Sequence, residues 1–71
     1  MKENSLQLQV ESALLQDRLT EDSEIEVLDN NGVVTLRGRV PSREARDRAE
    51  AIARTVAGVT TVINELDVVQ R

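Results

Sequence analysis

The stretch Gly32-Val33-Val34-Thr35-Leu36-Arg37-Gly38-Arg39-Val40 decides the fold of this chain. Every second residue, Val34, Leu36, Gly38 and Val40, falls on one face, the pattern of a strand buried on one side. Just upstream, Asp29-Asn30-Asn31-Gly32 offers residues that accept positive φ, which predicts a tight hairpin. The partner strand starts at Glu24, where Ile25 and Val27 alternate with Glu24 and Glu26. Downstream, Pro41-Ser42 stops the strand, and Ser42 is placed to cap a helix reaching about Ala57. Ala45, Ala49, Ile52, Ala53 and Val56 lie on one side of that helix. Gly58 occupies the left-handed position that commonly closes a helix, with Val59 folding back onto the last turn. A third strand follows over about 60–69, with Val62, Leu66 and Val68 inward.

Ahead of the hairpin the spacing predicts a helix from about Ser5 to Arg18, capped by Asn4 with Gln7 completing a capping box. Leu6, Val10, Ala13 and Leu14 form its apolar stripe, and residues 20–24 make a polar, acidic connection. The order is αββαβ. A strand-helix-strand crossover makes the third strand parallel to the second, with a right-handed connection. Each helix has one apolar stripe, so both cover the same sheet face. The expected fold is therefore α+β: a two-layer αββαβ sandwich, a three-stranded mixed sheet with two helices on one face and the other face open. One domain is expected over residues 1–71, its core at about 5–69. Gly38, on the middle strand, is expected to face the alanine-rich helix and let helix and sheet approach closely.

These residues resemble the BON domain, a bacterial module named for osmotically inducible and nodulation-related proteins. The likeness covers about residues 6–68. It rests on Leu6, Val10 and Ala13-Leu14 ahead of Asp17 and Leu19, then on Gly32-x-Val34-x-Leu36-x-Gly38-x-Val40. It continues through Arg46, Ala49 and Ala53 to Gly58-Val59-x-x-Val62-x-Asn64-x-Leu66. The resemblance implies the same fold and a non-enzymatic module, mostly of periplasmic or envelope proteins. It also implies phospholipid binding or membrane attachment, or binding to a protein partner.

Composition narrows the chemistry independently. The 71 residues include no Cys, His, Phe, Trp or Tyr. No disulfide is available, and the commonest metal ligand and general base are absent. There is no ring on which bases could stack. A net charge of −4 disfavours nucleic acid and anionic lipid. No stretch is long enough to span a membrane. No serine or acidic pair has an activating neighbour, so no catalytic residue, metal site or cofactor is expected. No apolar run follows Met1-Lys2-Glu3-Asn4, which predicts a cytoplasmic location if the chain is complete and an envelope one if it is an excised domain.

Several side chains remain as candidates for a surface role. Arg37 and Arg39 should project from the open face, with Glu24 and Glu26 on one side and Glu65 and Asp67 on the other, as cross-strand opposite charges. On the second helix, Arg43–Asp47, Glu44–Arg48, Arg46–Glu50 and Glu50–Arg54 are i,i+4 pairs. Glu21-Asp22-Ser23-Glu24 fails as a calcium loop: starting at Asp22, the sixth position is Val27 where a glycine is needed. A weak monovalent-ion site is what remains there.

Asn64 faces inward and needs hydrogen-bond partners, so it is read as structural, like Gly32, Gly38 and Gly58. Leu8 and Leu15 should face solvent. Leu28, Val33 and Ile63 should point to the open face near the hairpin end and form the better contact candidate. The leading reading is a non-catalytic module that docks onto a protein partner or a second copy of itself. Envelope phospholipid association is the alternative, and small-cation binding a second one.

Overall fold

A computed structural model describes residues 5–69. Its elements are α1 (Leu6–Leu15), β1 (Glu24–Asn30), β2 (Val33–Val40), α2 (Arg43–Thr55) and β3 (Thr61–Val68). The hairpin is as short as its residues allow. Asn31 and Gly32 adopt φ of 53° and 91°, the two positive values that a two-residue type I′ turn requires. The Asp29 carboxylate accepts the Gly32 amide at 3.1 Å and fixes the turn from within.

β2 is the central strand, antiparallel to β1 and parallel to β3. Both helices pack on one face of this sheet. The core joins Val10 and Leu14 of α1 to Ala45, Ala49 and Ala53 of α2 over Val27, Val34, Leu36, Val40 and Leu66. It is entirely aliphatic, and Leu36 is its largest fully buried side chain. Truncating such a residue to alanine costs about 2–5 kcal/mol, so Leu36→Ala removes a large share of the stability of a domain this small. Serines start both helices: Ser5 Oγ accepts the Leu8 amide and Ser42 Oγ the Ala45 amide, each at 3.1 Å.

The ends of the elements correct the sequence reading. Asn4, expected as the first cap, lies outside the described residues, and the cap observed is Ser5. With Ser5 as the cap, Gln7 is the second helical residue rather than the third, and its side-chain amide reaches Glu11. α1 stops at Leu15, short of Arg18, because the next residues bond among themselves. The Leu14 carbonyl, which a continuing helix would use for residue 18, accepts the Thr20 hydroxyl. The Asp17 carboxylate accepts the Leu19 amide at 3.0 Å. Thr20, read as part of a polar connection, is thereby buried.

α2 ends at Thr55, two residues before the expected Ala57, and Val56 is already extended at φ −77°, ψ 128°. Gly58 is consequently not the residue that closes the helix. It is the third residue of a turn in which the Val59 amide bonds the Val56 carbonyl at 3.2 Å.

Gly38 also acts differently from expectation. Its φ is 131°, and a β-carbon there would run into the carbonyl of Glu24 on β1. The neighbouring strand's backbone, rather than α2, excludes a side chain at this position.

Of the four i,i+4 pairs expected on α2, only Glu50–Arg54 forms an ion pair, at 2.6 Å. Arg48 turns away from Glu44 to Asp17, 2.7 Å away.

Candidate interaction face

The helices leave one sheet face uncovered, and strand register arranges that face in rows. Glu24, Arg39 and Asp67 lie side by side, and the next row is Glu26, Arg37 and Glu65. Beyond them, towards the hairpin, come Leu28, Thr35 and Ile63, then Asn30, Val33 and Thr61. The carboxylates expected beside Arg37 and Arg39 are therefore in place. Arg37 Nε stands 3.5 Å from Glu65 Oε1, an exposed pair worth about 0.2–1 kcal/mol. Among the described residues Arg39 makes no ion pair within 4.0 Å. Four carboxylates thus face two guanidiniums, and the double row carries excess negative charge.

Leu28 and Ile63 share a row and are 39% and 42% exposed. They flank Thr35, so the two aliphatic side chains stand about two strand spacings, ~9.6 Å, apart. Val33 lies in the neighbouring row on the same strand as Thr35 and is half-buried. The three apolar candidates are therefore all placed at the hairpin end of the open face. Thr35, at the centre of their row, was missed in the sequence. Its place between Leu28 and Ile63 exists only through pairing to both neighbouring strands.

Asn64 sits on the opposite, helix-covered face. Its Nδ2 donates to the Arg46 carbonyl at 3.1 Å and to Glu50 Oε1 at 3.3 Å, while its Oδ1 accepts the Leu66 amide at 3.1 Å. Glu50 also holds Arg54, so one chain of contacts runs from β3 along α2. Two of its three partners, the Arg46 carbonyl and the Glu50 carboxylate, lie in the middle of α2. The hairpin is secured from elsewhere: the Gly32 carbonyl accepts the Thr60 amide at 2.8 Å and the Thr60 hydroxyl at 3.1 Å.

Other surfaces carry less chemistry. A cleft of about 120 Å³ beside α1 is lined by Glu11, Leu14, Leu15, Thr20, Ser23 and Ile25. Its single ionisable group gives it no acid–base pair. Among the described residues no group of three or more acidic side chains is arranged to hold a metal ion. No helix there is long and apolar enough to cross a membrane.

An open mixed sheet under two helices, with its polar and aliphatic groups in rows on the bare face, defines a small α+β module that presents a surface. The family model described as BON domain matches residues 2–70. The chain belongs to the BON domain family. It is 36% identical over 67 residues to the outer membrane lipoprotein DolP of Haemophilus influenzae, a match covering 93% of this chain and 35% of that protein. It is 40% identical over 58 residues to osmotically-inducible protein Y of Escherichia coli, covering 82% of this chain and 29% of that protein. The chain thus spans about a third of the length of the curated relatives it matches. Neither relative's name denotes a reaction.

Proposed function

We propose that this chain is a non-catalytic BON domain that docks onto a protein partner through its open sheet face. Leu28, Val33 and Ile63 supply the apolar contact, and the rows containing Arg37 and Arg39 border it. The observation that carries this reading is the alignment of exposed Leu28 and Ile63 across β2, on a face that no element of the described chain covers. Aliphatic side chains next to ordered charges form the centre-and-rim pattern of transient interfaces. The absence of His and Cys leaves no usual nucleophile–base pair to support a catalytic reading.

A photo-crosslinking residue at Thr35 should give discrete protein adducts in cells, and the same residue at exposed Asp47 on α2 should not. Val33→Lys with Ile63→Lys should abolish those adducts, or any self-association seen by light scattering, with an unchanged circular dichroism spectrum. Association that survives the two lysines overturns the reading.

One observation favours a second reading, association with a phospholipid surface. α1 exposes Leu8 and Leu15 at 59% and 64%, and Glu11 is its one charged residue. The name of the Haemophilus relative places that protein at the outer membrane. Co-sedimentation with vesicles that is lost in Leu8→Ser with Leu15→Ser would support this reading. Equal sedimentation of both proteins would end it.

A further inference from the structure

We infer that the open face selects a basic, extended segment of its protein partner, with one aliphatic residue followed at alternate positions by two cations. This rests on docking through that face and adds the chemistry of the partner.

The two outer strands carry the same order of side chains in space. From the hairpin end, β1 presents Leu28, Glu26 and Glu24, and β3 presents Ile63, Glu65 and Asp67. Each column is therefore aliphatic, acidic, acidic, with successive members about 6.8 Å apart along the strand. Between the columns, Arg37 and Arg39 neutralise at most half of the four carboxylates. Only Glu65 is in an ion pair; Glu24, Glu26 and Asp67 make none within 4.0 Å among the described residues.

That charge balance discriminates among occupants. A second copy of this face would bring the same negative excess against it, and an anionic lipid or a nucleic acid would be repelled likewise. A cationic segment is attracted, over a range of about 8–10 Å at ordinary ionic strength. An extended chain repeats its side chains every second residue on one face, which matches the column spacing. A segment of the form aliphatic-x-Lys-x-Lys then sets its apolar residue on the Leu28–Thr35–Ile63 row and its ammonium groups over one acidic column.

The test is a titration of the ¹⁵N-labelled chain with the peptide acetyl-Gly-Leu-Ser-Lys-Ser-Lys-Gly-amide, and with the same peptide carrying Glu for Lys. Amide shifts are expected at Glu26, Leu28, Thr35, Ile63 and Glu65 with the lysine peptide alone, weakening as salt is raised. Glu26→Gln with Glu65→Gln takes one carboxylate from each column and should lower the affinity about two- to fivefold. The proposal is overturned by shifts centred on Glu21 and Asp22, by an equal response to the glutamate peptide, or by a larger response of the same face to phosphatidylglycerol vesicles. If the Thr35 crosslinker finds a partner while the lysine peptide leaves the face unperturbed, the charge selection falls and the docking reading stands.

Discussion

Asp17 and Arg48, separated by 31 residues, form the contact that ties the α1–β1 connection to the side of α2. Asp17 Oδ2 accepts from Arg48 Nη2 at 2.7 Å and from Nε at 2.9 Å, while Oδ1 accepts the Leu19 amide. The Arg48 hydrogen bond, the Leu19 amide and the guanidinium's charge together hold the Asp17 carboxyl below its ordinary value of 3.8. A carboxyl with a lowered folded pKa stabilises the fold fully above its unfolded value and loses that contribution as pH falls through the folded one. At pH 7, Asp17→Asn should therefore unfold at lower urea than the parent chain. The gap between the two midpoints should close as the pH is taken well below 3.8. A gap independent of pH would remove the carboxylate from the explanation.

Gly38 and Gly58 should respond differently to alanine. Both have positive φ, but a β-carbon at Gly38 meets the Glu24 backbone, whereas at Gly58 it meets Leu6 Cδ1 at 3.4 Å, ordinary contact. Gly58→Ala should cost about 1 kcal/mol from backbone conformation alone. Gly38→Ala must also displace β1 and should cost about 3 kcal/mol or more. Urea unfolding of the two variants checks the order, and equal costs would contradict it.

Asn64→Leu should destabilise the chain by about 1–3 kcal/mol, since the Leu66 amide and Glu50 carboxylate each lose a partner. Docking through the open face should survive in the folded fraction, because Asn64 lies on the other side of the sheet. Thermal unfolding together with Thr35 crosslinking separates the two effects. Unchanged stability would end the structural role assigned to Asn64.

Thr20→Val keeps the shape of a buried side chain and removes its hydroxyl from the Leu14 carbonyl. A loss of about 1 kcal/mol is expected by urea denaturation. Hydrogen exchange should quicken first at Asp17, Thr20 and Glu21, whose amides bond within the connection or back to the end of α1. Uniform quickening over the whole chain would instead mark Thr20 as a packing residue.

The parts legible in the sequence were those set by near neighbours. Period-two alternation gave β1 to β3 and their inward faces, Asn31-Gly32 gave the hairpin, and Ser42 gave the start of α2. Pairing Glu24 and Glu26 with Arg39 and Arg37 followed once the hairpin was known. Three of the corrections involve a partner distant in sequence or a bond that competes with a local one. Arg48 was assigned to Glu44, four residues away, because nothing local reveals Asp17. α1 was drawn too long because the Thr20 hydroxyl competes for the Leu14 carbonyl. Gly38 was assigned to a helix contact because its φ and the position of the Glu24 carbonyl arise only when β1 and β2 pair.

From Asp29 to Val40 the residues alone determine a one-sided strand and its hairpin turn, because backbone sterics and side-chain alternation are local; the family is read from a pattern spread over residues 6–68. Tertiary structure alone decides that Leu28, Thr35 and Ile63 form one row, and that four carboxylates border two arginines beside it. Those neighbours come from three strands, and their adjacency is set by hydrogen-bond register across the sheet, a long-range property that no single stretch encodes.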